Sequence, residues 1–379
     1  MVKVVVQKTD SGLTRNGICS AVESLLEPLG GMGNFVKPGQ RVLIKPNVCG
    51  TFPKESGKVT DPDVVYAVVK SALSAGAAEV WIAESSIVGY DTEEAFDVAG
   101  YGIFRDMERV SLIDLKKEGA RAVASPKTEG MENLHIFERV FFADTIINVA
   151  KAKTINSTPI SMGMKNLKGI VRDDCKRQCH YSDLNAAIVE INRNIKSNLI
   201  IIDGITGSSL YEPIEHGVLI AGEDIVAVDT VGALCVGADP ETVKYLCLAA
   251  REGFGVIELD KIEIIGDRIE DVRKGYRIGQ DDAGALAALY PGIAISAGNA
   301  CSGCISVLES VLNTGKAEGW LAGREGKLRF VIGLDAEHPD DGLNTVCLGN
   351  CAVKKGGGQT VKGCPYLMRD VKALLESYE

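Results

Sequence analysis

Residues 42–83 read as strand, helix, strand, and that order limits the fold more than any other feature of the chain. Val42-Leu43-Ile44 and Val80-Trp81-Ile82-Ala83 are short, β-rich apolar runs of the kind that fill a sheet covered on both faces. Between them Val64, Val65, Ala67, Val68, Ala72 and Leu73 recur at helical spacing. Thr60 or Asp61 supplies the N-cap. Pro62 takes the first helical position, where its missing N–H costs nothing. Two strands joined through such a helix pair in parallel.

The pattern extends in both directions. Met1-Val2-Lys3-Val4-Val5-Val6 reads as a first strand, and Thr145-Ile146-Ile147-Asn148-Val149 as another buried one. A helix is expected over 183–195 and a strand over 199–202, ending at Asp203-Gly204. A further strand is expected over 218–221, with helices over 227–236 and 240–252. Residues 260–290 are charged, carry scattered glycines and lead to a domain boundary. Strands over 293–296 and 328–332 and helices over 304–312 and 367–377 then give a smaller unit. The predicted architecture is α/β. A mostly parallel, Rossmann-like sheet with flanking helices occupies 1–285, and a smaller cysteine-rich, metal-binding α/β domain occupies 286–379. Lys354-Lys355-Gly356-Gly357-Gly358 reads as a mobile loop.

Composition narrows the function classes. The 379 residues carry 41 Lys+Arg against 51 Asp+Glu, a net charge of −10, with no basic stripe, which argues against nucleic-acid binding. No apolar run reaches the ~18 residues of a membrane span, and the N-terminus lacks the pattern of a signal peptide. The expectation is a cytoplasmic protein without membrane contact.

Five of the 11 cysteines fall between Cys301 and Cys364, where even scatter would place about two. An odd count without an export signal argues against a disulfide framework and for metal binding or catalysis. Cys301 and Cys304 form a C-x2-C turn, with Gly303 allowing close backbone approach. Cys351 follows a strand-like run, and Cys364-Pro365 is expected to open a helix. Thiolates at helix N-termini are stabilised by backbone N–H groups. Ligand type and count, with Cys-Pro as the last element, favour a [4Fe–4S] cluster on Cys301, Cys304, Cys351 and Cys364. Structural zinc on the same residues and inert buried thiols are the alternatives. Cys347 lies in an apolar run and reads as core. Cys175, Cys179 and His180 form a C-x3-C-H element that suits either a metal or an exposed loop.

The polar residues of the larger domain gather after strands, where open parallel sheets bind ligands. Lys45 and Asn47 follow one strand, and Glu84-Ser85-Ser86 ends the next. Lys151 and Lys153, then Lys165, Asn166, Lys168 and Gly169, follow a third. Four lysines there suggest recognition of a carboxylate or phosphate, although a solvated face accounts well for Lys151. Asp203, Asp224 and Asp229 are placed to face the same cleft, and Thr60-Asp61-Pro62 reads better as a helix cap. His180 is the nearby imidazole and is suited to acid–base work or to a surface position. The chain has neither a dinucleotide fingerprint nor a Walker loop.

Taken together, Val42-Leu43-Ile44-Lys45-Pro46-Asn47, Thr60-Asp61-Pro62, Ile147-Asn148-Val149-Ala150-Lys151, Met164-Lys165-Asn166-Leu167-Lys168-Gly169, His180, Ile202-Asp203-Gly204 and Asp224-Ile225-Val226-Ala227-Val228-Asp229 resemble the DUF362 family over roughly residues 35–260. The C-terminal unit is similar to the iron–sulfur appendage of some members. Many relatives carry C-x2-C-x2-C-x3-C-P, whereas the cysteines here are spread more widely. The combined reading is an anaerobic iron–sulfur oxidoreductase. Lys45, Lys165 and His180 are the candidate catalytic groups. Asn47, Lys153, Asn166, Lys168 and Asp203 bind a small anionic molecule, and an electron-transfer partner protein and a homodimer are both compatible. The alternative is a non-catalytic cluster carrier or maturation factor, or a zinc-stapled domain.

Overall fold

The structure is a computed structural model. It describes residues 1–379 apart from 11, 127, 129, 130, 156, 211, 279–281, 299, 354–356, 378 and 379. The side chains of 180, 181, 282, 283, 285, 302 and 306 also fall outside the description, as does most of the lysine–glycine loop expected at 354–358. The chain divides into two compact units, Met1–Thr154 with Thr158–Ile278, and Ile155–Ser157 with Gly279–Glu379.

Among the described residues ten strands belong to the first unit: β1 (Val2–Lys8), β2 (Arg41–Pro46), β3 (Glu79–Glu84), β4 (Val110–Asp114), β5 (Ala120–Ala124), β6 (Asn133–Phe137), β7 (Thr145–Thr154), β8 (Leu199–Ser209), β9 (Glu212–Gly222) and β10 (Ile262–Gly266). Eight of them form one sheet in the order β10-β1-β9-β8-β7-β2-β3-β4. The run β8-β7-β2-β3-β4 is parallel throughout. β9 is antiparallel to both β8 and β1, and β10 pairs parallel with β1. β5 and β6 form a separate antiparallel hairpin.

The two-residue period of a strand sends alternate side chains to opposite faces. Val5, Ile201, Leu219 and Ala221 enter one apolar core with Val64, Val65 and Val68 of the helix Pro62–Ser74. Val4, Val6, Ile200, Ile202 and Ile220 enter the other, against Val226, Ala227 and Val231 of the helix Ile225–Cys235. Full burial of one such side chain contributes roughly 1.5–3 kcal/mol. β7, flanked in the parallel run by β8 and β2, is buried at every position. Asp61 caps the helix Pro62–Ser74 by accepting from Asp63 N–H, as the sequence predicts.

Three readings change. β8 does not end at Asp203-Gly204 but continues to Ser209, with a register shift between Gly204 and Thr206. The antiparallel β8–β9 pairing interrupts the parallel order that the apolar runs suggest. The charged 260–290 segment contains β10, whose alternating Glu263 hides its strand character.

The second unit holds the parallel sheet β11 (Ala294–Ala297), β12 (Leu328–Ile332), β13 (Asn344–Leu348) and β14 (Gln359–Val361), in that spatial order. Its described helices include Ser302–Glu318, Gly349–Val353 and Met368–Glu376. The last begins at Met368, so Cys364-Pro365 forms a turn before the helix rather than its first residues. Among the described residues no helix is long and apolar enough to cross a membrane.

Asp224 is a structural cap and not a cleft residue. It accepts from Val226 and Ala227 N–H at 2.9 and 3.0 Å and from Val256 N–H at 3.1 Å. Asp224→Ala should lower unfolding stability by about 2 kcal/mol in urea titration.

Candidate functional site

Parallel strands β2, β3, β7 and β8 end on the same edge, and many of the polar residues singled out in the sequence are buried there. Lys45, at the end of β2, is completely buried and lies 2.7 Å from Glu84 at the end of β3. Lys45 Nζ also donates to the Pro46 carbonyl at 2.6 Å. Glu84 in turn accepts from the backbone N–H groups of Val48 and Ser85, each at 2.8 Å. Gly169 closes over this pair. Any Cβ at 169 would meet Glu84 Oε1 at 2.2 Å and Lys45 Nζ at 2.7 Å, which explains the glycine that ends Met-Lys-Asn-Leu-Lys-Gly.

A second buried pair stands beside the first. Lys151 Nζ lies 2.7 Å from Asp203 Oδ2, and both side chains are essentially inaccessible. Asp203 also accepts from Asp61 N–H at 2.8 Å and Ile205 N–H at 3.1 Å. Lys151 is therefore no part of a solvated face, contrary to the sequence reading. Asp203 organises the edge from inside.

Between the two pairs runs an oriented chain of amides. Lys153 Nζ donates to Asn47 Oδ1 at 2.5 Å, and Asn47 Nδ2 to Asn166 Oδ1 at 3.1 Å. Asn166 Nδ2 donates to Asn148 Oδ1 at 2.8 Å and Lys45 O at 3.1 Å, and Asn148 Nδ2 to Gly163 O at 2.9 Å. Each amide fixes the orientation of the next. The chain pins the segment Gly163–Asn166 onto β2 and β7. From the other side, buried Asp229 accepts from Gly163 and Met164 N–H at 2.7 and 2.9 Å. Asp229 is thus an anchor and does not face a cleft. Burial raises its carboxyl to about 7 despite those two bonds.

The lysines differ in what holds them. Lys45 and Lys151 are matched by carboxylates. Lys176, in the helix Asp173–Tyr181, donates to Ser85 O, Ser85 Oγ and Ser86 O at 2.6–3.0 Å and pairs with Asp173 at 3.0 Å. Burial lowers it to about 8. Lys153 is buried and meets only uncharged acceptors among the described residues: Asn47 Oδ1, Lys58 O at 2.9 Å and Cys49 Sγ at 3.8 Å. Burial lowers its pKa, and the Lys151 ammonium adds to the effect. Lys165 is buried and donates to Thr158 Oγ1 at 2.9 Å. Lys168 is half-buried in the turn Leu167–Ile170. His180 belongs to the helix Asp173–Tyr181, and its side chain lies outside the described residues. Thus Lys45, Asn47, Lys153, Asn166 and Asp203 gather at one edge. Glu84, Asn148 and Lys176 join them, although the sequence reading passed over them as partners. The signal for Asn148 was a polar residue inside an otherwise apolar strand.

In the second unit Cys304 is hydrogen-bonded with Cys301, and Cys351 and Cys364 lie near enough to act on it electrostatically. Cys301 is the N-cap of the helix Ser302–Glu318, Cys304 lies in its first turn, and Cys351 lies in the helix Gly349–Val353. Cys304 is buried, and the other three are half-buried. The Cys304 thiol is pushed far up by its hydrogen bond with Cys301, by burial, and by negative charge on Cys301, Cys364 and Cys351. Two loops are tied together around it. Asn350 N–H donates to Gly363 O at 2.9 Å, Gly363 N–H to Asn350 Oδ1 at 3.0 Å, and Tyr366 Oη to Cys304 O at 2.8 Å. Gly349 has φ +85°, and a Cβ there would stand 3.3 Å from Cys304 Sγ. Cys347 is core, as expected, and its Sγ donates to Gly357 O at 2.8 Å.

The family described as "Domain of unknown function (DUF362)" matches residues 42–234. The thylakoid-associated protein sll1697 of Synechocystis sp. is 31% identical over 267 residues, spanning 68% of this chain and 81% of that protein. A crystal structure of a Thermotoga maritima protein overlays with TM-score 0.34 at 19% identity, covering 51% of each chain, so this chain spans about half of that protein's length. The lactate racemase apoprotein of Thermoanaerobacterium thermosaccharolyticum gives TM-score 0.38 at 12% identity, covering 86% of this chain and 68% of that one. At these TM-scores neither likeness bears on what this chain does.

Glu84→Gln should destabilise the fold by about 3–5 kcal/mol, because it strands the Lys45 charge. The double variant Lys45→Met, Glu84→Leu should recover most of that loss, and urea titrations compare the two. Asp229 gives a pH signature. Its folded pKa is raised, so its stabilisation is complete below the unfolded carboxyl range and is lost as pH rises through about 7. Wild type should lose about 2–3 kcal/mol relative to Asp229→Asn between pH 5 and pH 8.

Proposed function

The chain belongs to the DUF362 family, and from that premise we propose that it is an iron–sulfur oxidoreductase acting on a small anionic molecule. The observation that carries the reading is the Cys301–Cys304 hydrogen bond, with Cys351 and Cys364 close enough to act on the same Cys304 thiol. Cys304, whose thiol is pushed up by burial and by its cysteine neighbours, becomes a thiolate only when a strongly positive centre sits beside it. The donor set is soft and all-sulfur, which suits an iron–sulfur cluster or zinc. Gly349 keeps the space beside Cys304 Sγ free of a side chain, and the Asn350–Gly363 pair holds two ligand loops in register. When bound, a [4Fe–4S] cluster supplies single electrons.

The first unit provides recognition. Lys153 has no carboxylate partner among the described residues, and Asn47, which is half-buried, presents an oriented amide beside it. Lys165 and Asn166 come from the segment held by Asp229 and the amide chain. A carboxylate or phosphate bound here meets lysine and amide donors already fixed in place, so little ordering accompanies binding. Lys45, fully buried on Glu84, acts by positioning and not by contact. Asp203 does the same through Lys151.

The test is anaerobic purification followed by iron, acid-labile sulfide and zinc analysis, with electron paramagnetic resonance before and after reduction. The reading expects about four irons and four sulfides per chain and a signal on reduction. Cys351→Ser should lose much of the iron and sulfide. Lys153→Gln and Lys165→Gln should retain both while losing anion binding. One tight zinc without sulfide would replace the redox reading with a stapled domain.

A further inference from the structure

A second cluster of donors lies in the first unit, far along the chain from the C-terminal cysteines. His135 is the central residue of β6, and Asp174 and Cys175 lie in the first turn of the helix Asp173–Tyr181. A ring nitrogen of His135, a carboxylate oxygen of Asp174 and the Cys175 sulfur all lie within 4.8 Å of one another. We propose that these three residues bind a divalent transition metal of the zinc class, with a fourth position open to solvent.

The spacing fits. With zinc–sulfur and zinc–nitrogen bonds of about 2.3 and 2.0 Å at a tetrahedral angle, the two donors stand about 3.5 Å apart. Cys175 Sγ and His135 Nδ1 are 3.5 Å apart. The mixed nitrogen, oxygen and sulfur set suits a borderline cation.

The site is held by the backbone independently of any metal. Arg172 N–H donates to His135 O at 2.9 Å, and Ile136 bridges Val171 in antiparallel fashion. These contacts lock β6 to the chain just before the helix. His135 N–H donates to Cys175 Sγ at 3.2 Å, which aims the sulfur at the imidazole. Cys175 N–H donates to Asp174 Oδ1 at 2.9 Å. Cys175 is buried, His135 is half-buried and Asp174 is exposed, so the group opens to water on the carboxylate side. Arg172 grips Asp174 and stands 3.5 Å from His135 Nδ1. Its side chain is 46% exposed, so it is free to swing away from the imidazole as a cation enters. The partner of Cys175 thus comes from β6, 40 residues earlier, and not from the C-x3-C-H element. Cys179 is packed instead in an apolar core with Leu134, Ile136 and Ile170.

The test is cobalt(II) titration of the full chain, read by equivalents bound and by the thiolate-to-cobalt charge-transfer band. His135→Gln, Cys175→Ser and Asp174→Asn are compared with Cys301→Ser. Loss of even an outer partner of a metal ligand weakens binding by about 10–100-fold, so each of the first three variants should bind cobalt at least about tenfold more weakly. Asp174 is exposed, so its variant should fold normally and keep the test decisive. Cys301→Ser should retain this equivalent. Unchanged binding by Asp174→Asn and His135→Gln, or a band lost only in Cys301→Ser, would overturn the proposal. Iron and sulfide content report separately on the C-terminal cysteines.

Discussion

The buried pair of Lys45 with Glu84 is the interaction on which the polar edge depends. A lysine with no access to water survives in its charged form only if a carboxylate stands against it and the remaining hydrogen bonds are met. Meeting those conditions brings the end of β2 beside the end of β3. It draws Val48 and Ser85 N–H onto the same carboxylate and leaves room over the pair for nothing larger than glycine at 169. Lys151 with Asp203 repeats the arrangement between β7 and β8. These pairs bring the loops after four strands together. The amide chain from Lys153 to Asn148 then sets the segment carrying Lys165 and Asn166 between them.

This arrangement changes what the lysine-rich motifs mean. Taken as a count, they suggest an edge of strong positive charge. Taken as partners, Lys45, Lys151 and Lys176 are matched by Glu84, Asp203 and Asp173. The lysine donors without a carboxylate partner are few among the described residues, Lys153 among them. Charge confined to a few fixed positions discriminates between small anions better than a diffuse patch does, because a misplaced anion forfeits hydrogen bonds it cannot replace.

Much of the architecture was legible in the sequence. Helical spacing of Val64, Val65 and Val68 between two β-rich runs predicts a parallel unit, and Asp61 with Pro62 marks its helix start. Long-range pairing was not legible. β9 lies antiparallel to β8 because the chain turns back at once after Ser209, and apolar alternation does not encode direction. β10 was hidden because an edge strand carries charge freely. At the polar edge the residue types were visible, but their partners were not. Lys151 looked like a solvated lysine, and only the register of β7 against β8 brings it to Asp203. The contact of Cys301 with Cys304 was visible from their C-x2-C spacing. The pairing of Cys175 with His135 crosses 40 residues and leaves no local trace.

The central claim is that Cys301, Cys304, Cys351 and Cys364 surround one iron–sulfur cluster. Anomalous diffraction across the iron edge, from crystals grown without oxygen, tests it most directly. The account predicts a single compact iron peak within bonding distance of all four sulfur atoms. A peak at the zinc edge in that position, or sulfur atoms with no metal between them, would contradict it.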